Sequence, residues 1–171
     1  MTVAERDGVV LRHARADDLD AVDALTVAAY APIQDSLVAM LGDDLYQDVF
    51  AEPERGWDER KCAQNRDLFA EHPEQVWVLD DDGDVFGYVT FWLDPGGRYG
   101  RIDNNAVAAA RTGQGWATFM YRAVLDHFRS LGLQYANVDT HLDDVHIPAR
   151  RAYEAVGFDR AVPAVDLWQR L

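Results

Sequence analysis

Apolar positions recur along the 171-residue chain in two rhythms. A short apolar run at Val9, Val10 and Leu11 predicts a first strand over residues 9–14. From residue 17 to 30 the spacing becomes helical, with Leu19, Val22, Leu25 and Val27 in register and Asp17 and Asp18 in the dipole-favoured first turn. A second helix is expected over residues 34–50, bent or interrupted near Gly42, and a polar third over residues 54–71. Residues 75–79 and 85–92 read as paired strands, because Asp82-Gly83 between them is a hairpin signal. Residues 101–108 form a further strand, leading through a glycine-rich loop into a helix that runs to Phe128. A strand at residues 135–140, a helix over 146–156 and a closing strand at 165–169 complete the order. No repeat or linker interrupts it, so residues 1–171 read as a single α/β domain.

Composition narrows the class. With 49% hydrophobic and 27% charged residues the chain resembles a soluble globular protein long enough to bury a sizeable core. No apolar run reads as a membrane span, and the start MTVAERDG lacks the apolar stretch of a signal peptide. The lone Cys62 excludes an intrachain disulfide and agrees with a cytoplasmic protein. No Cys/His cluster shows structural zinc spacing, and no metal is expected. A net charge of -14 argues against nucleic acid and anionic membranes as partners and mildly favours a cationic ligand; it also serves solubility.

The glycine-rich loop carries the first candidate chemistry. In Val107-Ala108-Ala109-Ala110-Arg111-Thr112-Gly113-Gln114-Gly115-Trp116-Ala117, a strand passes through two glycines into a helix. Unpaired amides and the positive end of the dipole make such a start an anion site suited to phosphates. It is not a Walker loop, since Trp116 and Ala117 stand where Lys and Ser or Thr would be. Thr118 fits poorly as the third glycine of a dinucleotide fingerprint. Taken alone, the loop is equally an ordinary strand-to-helix turn.

A second motif lies downstream in His146-Ile147-Pro148-Ala149-Arg150-Arg151-Ala152-Tyr153-Glu154-Ala155-Val156-Gly157-Phe158. Pro148 suits a first helical turn and Gly157 a C-terminal cap. With the Gly113 loop in the right order and distance, the chain resembles the GNAT superfamily of acetyl-CoA-dependent N-acetyltransferases. Thr112 through Ala117 fill that family's R/Q-x-x-G-x-G/A loop, with Thr112 in the Arg/Gln place. Ala149, Tyr153, Glu154, Gly157 and Phe158 match its N-x-x-A-x-x-x-Y-E-x-x-G-F motif, with His146 in the Asn place.

The resemblance implies a mixed central sheet of six to seven strands, flanked by helices and splayed in the middle to receive acetyl-CoA as acyl donor. Asn105, Ala106 and Val107 would pair with the pantetheine arm, and Arg111, Thr112, Gly113, Gln114, Gly115, Trp116, Ala117 and Thr118 would cradle the pyrophosphate. His146 and Ala149 would also face the cofactor. Tyr153 falls where the family protonates the departing thiolate, a role its ordinary pKa near 10 permits, although a helical tyrosine is also a common core residue. Arg101 takes the place of the Glu that serves many members as base, and a guanidinium cannot do so. Asp103 and His141 are the substitutes, with a water relay as the alternative. Tyr30, Trp57 and Trp92 are candidate aromatics of an acceptor pocket, or simply core. The expected reaction is direct attack of a primary amine of a small molecule or peptide on the thioester. A non-catalytic acyl-CoA-binding or sensor module, or a nucleotide-binding module, are the competing classes. An exposed edge strand makes a homodimer an open expectation.

Overall fold

Two Asp-Gly pairs set the register of the first half of the sheet. β1 (Thr2–Arg6) and β2 (Val9–His13) turn at Asp7 and Gly8; β3 (Val76–Asp81) and β4 (Asp84–Leu93) turn at Asp82 and Gly83. All four turn residues have positive φ, the geometry that matches the twist of paired strands. The computed structural model describes residues 1–51 and 55–171. β5 (Tyr99–Val107) extends the antiparallel set, and β6 (Tyr135–Val138) joins it in parallel, giving the order β1-β2-β3-β4-β5-β6.

Helices cover both faces. α4 (Trp116–Ser130) forms the β5-to-β6 crossover, and with α5 (Ile147–Glu154) it packs Met120, Tyr121, Val124, Phe128 and Tyr153 against Leu11, Trp77, Leu79, Phe91 and Ile102. α1 (Leu19–Leu41), α2 (Asp43–Val49) and α3 (Trp57–Glu71) precede β3. On the second face Val22 of α1 packs with Val78, Tyr88 and Ala106. There a buried polar chain ties four elements together. Thr26 Oγ1 and Tyr88 Oη lie 2.7 Å apart, Asn65 Nδ2 donates to Thr26 Oγ1 at 3.0 Å, and Asn104 Nδ2 donates to Asn65 Oδ1 at 2.9 Å. Each buried polar atom so paired avoids the cost of lost solvation. At the sheet's other end Arg12 holds Asp18 at 2.6 Å and Asp80 at 2.7 Å.

Four expectations change. β1 was not foreseen, although Asp7-Gly8 is the same signal read correctly at Asp82-Gly83. The two helices expected over 17–30 and 34–50 divide elsewhere: α1 runs unbroken through Pro32 to Leu41. Proline removes only the N–H that the Ala28 carbonyl would accept. The break falls at Gly42, as expected there, and its φ of 81° is costly for any other residue. α3 starts at Trp57, and the expected start at residue 54 lies outside the described residues. The closing strand at 165–169 is absent. Residues 159–171 form no regular structure and lean toward α2, where Trp168 meets Phe50 edge-on at 5.4 Å and Arg170 faces Asp48 at 3.4 Å. The helical stretch Ala16–Leu41 is, by length and composition, apolar enough to cross a membrane. It carries Asp20, Asp23 and Asp35 and packs on the sheet through Val22.

Candidate active site

The sheet opens where β6 stops. Pairing of β5 with β6 runs from Tyr99↔Tyr135 to Ile102↔Val138, while β5 continues to Val107 without that neighbour. Just past the last pair the β4–β5 register slips. Val89 pairs with Asn105 and Phe91 with Ile102, so β5 carries one extra residue, a bulge over Asp103 and Asn104. Ile102 accordingly belongs to the core under α4, whereas Ala106 belongs to the core under α1. A cavity of about 970 Å³ fills the opening and reaches from the Gly113 loop to α1, α3 and α5.

One wall is the start of α4. Gly115, at φ 82°, is its N-cap in the left-handed region, and the first helical N–H bonded to backbone is that of Phe119, to the Gly115 carbonyl at 3.0 Å. The amides ahead of it are therefore available to an anion. β1 braces the loop, with Arg6 Nη2 donating to the Gln114 carbonyl at 3.0 Å and its guanidinium 4.5 Å from the Trp116 ring. Arg111 stacks on Phe86 at 4.7 Å and pairs with Asp81 at 2.7 Å. Thr112 Oγ1 donates back to the Ala109 carbonyl at 2.8 Å, so its side chain serves the turn.

A hydrogen-bonded tyrosine group forms the floor. Tyr121 Oη donates to Asn105 Oδ1 at 2.6 Å, and Asn105 Nδ2 donates to Tyr153 Oη at 3.2 Å. The two rings stack at 4.9 Å. Burial raises the Tyr153 pKa above its ordinary value, against the opposing pull of the Asn105 and Tyr121 hydrogen bonds. The phenol thus stays protonated at neutral pH, as a proton donor must. Burial likewise raises Tyr30 and Tyr121 well above 10. Tyr30 Oη donates to Asn104 Oδ1 at 3.3 Å.

The α3 wall of the cavity holds Lys61, the only lysine of the chain. Its Nζ lies 4.7 Å from the Tyr30 ring centroid, and burial lowers its pKa while the charge of Asp103 opposes that shift. Arg101 is bound to Asp139, which leaves it as a structural cation. Asp103, His141, His146 and Ala149 all line the cavity, as do Tyr30 and Tyr153. Trp57 and Trp92 do not. Trp92 packs edge-on to Tyr99 at 5.5 Å, and α3 meets the cavity through Lys61, one turn beyond Trp57. Ala106 and Gln114 also fall outside the lining: strand alternation turns Ala106 to the opposite core, and the Gln114 carbonyl is engaged by Arg6. Cys62 lies away from this cavity, with its thiol raised by burial to about 11, too high for a thiolate at neutral pH.

Tyr121, Lys61 and Asp143 are the functional candidates that pattern reading missed. Tyr121 sits on the apolar stripe of α4, and neither Lys61 nor Asp143 belongs to a motif.

Residues 42–158 match the acetyltransferase (GNAT) family. The chain belongs to that family. Its fold is shared by Ard1 from Thermoplasma volcanium at 17% identity and a TM-score of 0.64, over 91% of this chain and 85% of that one. Aminoglycoside N-acetyltransferase AAC(6')-Iy in complex with CoA aligns at 13% identity and 0.63, over 95% of each chain. A GNAT-family acetyltransferase from Bacillus anthracis aligns at 16% identity and 0.59, over 91% and 82%. The sequence finds no match among curated proteins. Family membership makes acetyl transfer the general activity, and the splayed six-stranded sheet is the family's architecture.

Proposed function

We propose that this protein is an acetyl-CoA-dependent N-acetyltransferase acting on a primary amine of a small molecule or peptide by direct attack. The observation that carries the reading is the placement of Tyr153. Its hydroxyl is held by Asn105 from β5 in the cavity that the Gly113 loop also borders.

The residues present fit the donor. The amides at the start of α4 suit a pyrophosphate, and the unpaired length of β5 offers peptide groups to an amide-containing arm. Acetyl-CoA supplies an acetyl group activated as a thioester. The chain's own part is to hold the amine in line with that group, accept the proton the amine loses, and deliver a proton from Tyr153 Oη to the sulfur as the C–S bond breaks. Tyr153 then recovers its proton from solvent. Ala149 and the α5 N-terminus border the cavity from one side, and Tyr30, Lys61 and Asp103 border it from α1, α3 and β5. The acidic surface suits an amine acceptor better than nucleic acid or lipid.

Thiol release from acetyl-CoA in the presence of an amine panel tests the reading, with Tyr153→Phe as control. The expected result is turnover with at least one amine and a fall in kcat of about 10²–10⁴-fold in the variant. Tight binding of acetyl-CoA with no turnover, unaffected by Tyr153→Phe, would instead mark an acyl-CoA sensor.

A further inference from the structure

The segment joining β6 to α5 is tied more closely than a connector requires. The Asp143 carboxylate bonds His146 Nδ1, three residues on. It also accepts from Ser36 Oγ of α1 at 3.3 Å. Arg150, within α5, donates to the carbonyls of His141 and of Asp143, the latter at 2.8 Å. Both side chains of the Asp143–His146 pair are only 13% exposed, so bulk water does not screen them. Burial works against the Asp143 charge, yet the His146 and Ser36 hydrogen bonds hold its carboxyl below the usual range. Within the same cluster the His141 ring lies 4.9 Å from that of His146, and both border the cavity with Tyr153. The donor atoms of His141, Asp143 and His146 lie within 4.8 Å of one another. Two of them are already joined by a hydrogen bond, so the group is an ion-pair-like dyad with a second imidazole beside it.

The pairing fixes a tautomer. With the Nδ1 hydrogen given to Asp143, Nε2 carries the free lone pair. Resting on the acetyl-transfer reading above, the geometry points to His146 as the general base, with Asp143 as the residue that positions it. An N–H bond of the acceptor's ammonium breaks and the proton forms a bond to Nε2, leaving the amine neutral for attack. The Asp143 carboxylate stabilises the resulting imidazolium, which returns the proton to solvent. The other groups are less suited. Arg101 is a guanidinium bound to Asp139, Asp103 is exposed on β5 and faces Lys61, and the exposed His141 has no carboxylate hydrogen bond among the described residues. Asp143, His141 and Arg150 are bonded to or stacked with this segment, Asp144 shares its turn, and α1 contributes the Ser36 hydroxyl.

The test is the pH profile of kcat/KM for the full chain and for His146→Gln, Asp143→Asn and His141→Gln, with acetyl-CoA affinity read by calorimetry. His146→Gln is expected to lower kcat/KM by about 10²–10⁴-fold at neutral pH, well beyond any change in acetyl-CoA affinity. The deficit should shrink as pH approaches the amine's own pKa, because the acceptor then arrives neutral. Asp143→Asn should show the same pH-dependent deficit in smaller measure, a readout that survives if His146→Gln folds poorly. A pH-independent loss, a variant equal to wild type, or loss of the acidic limb in His141→Gln alone would overturn the assignment. A wild-type chain that turns over no amine would overturn the acetyl-transfer reading itself, an outcome distinct from these.

Discussion

Tyr121 lies under Tyr153 with ring centroids 4.9 Å apart, and both hydroxyls converge on the side chain of Asn105. Asn105 accepts from one and donates to the other, so its amide cannot rotate without losing both bonds. Tyr121→Phe releases that constraint while leaving the ring in place. It should lower kcat by about tenfold, equivalent to about 1.4 kcal/mol, with little change in acetyl-CoA affinity. Steady-state kinetics beside calorimetry checks this; an unchanged kcat would show that Tyr153 needs no such support.

Gly115 should govern the donor half alone. Its φ of 82° disfavours any side chain, and a Cβ there would stand 3.3 Å from Arg6 Nη1. Gly115→Val is expected to distort the loop at a cost of about 1–2 kcal/mol and weaken acetyl-CoA binding roughly tenfold. Amine affinity, measured separately, should be retained.

Acid should unfold the protein through the Arg12 cluster. The Arg12 hydrogen bond is the largest cause holding Asp18 below its ordinary pKa, outweighing burial; at Asp80 burial is the larger single effect, but the Arg12 and Gly83 bonds together overcome it. A depressed folded-state value means the stabilisation is present above the unfolded carboxylate pKa near 3.9 and is lost as pH falls through the folded values. Thermal melts should therefore be flat near neutrality and fall steeply below about pH 4. Asp18→Asn leaves a buried guanidinium with one carboxylate partner and should cost about 3 kcal/mol at pH 7.

Gly100 is a packing requirement. A Cβ would lie 2.5 Å from Phe128 Cζ, with two more ring carbons within 2.7 Å. Gly100→Ala should destabilise by about 1–3 kcal/mol, and adding Phe128→Leu should restore part of the loss. Chemical denaturation of the single and double variants measures the recovery.

The loop and helix elements around the cavity were legible because their signals are local. Gly113 and Gly115 mark a loop by backbone geometry, and Pro148 and Gly157 bracket α5. The α1 and α3 side of the cavity was not, because the groups there meet across the chain: Lys61 reaches Tyr30 from another helix, and Ser36 reaches Asp143 over more than a hundred residues. Tyr121 is buried on the apolar stripe of α4, and no periodic pattern reveals that its hydroxyl finds Asn105. The helices expected over 17–30 and 34–50 join across Pro32, because packing against the sheet outweighs the one hydrogen bond a proline removes. Val165 and Leu167 alternate like a strand, yet alternation shows only that a segment could pair. In the structure they remain exposed beside no strand.

The bare stretch of β5 beyond Ile102 has an evolutionary consequence. Its peptide groups have no β6 neighbour, and every residue type except proline carries both halves of them. A ligand held by those groups would tolerate drift in the β5 side chains, leaving α1 and α3 free to vary. Under the proposed function, new acceptor preferences could then arise on those helices while the backbone contacts persist.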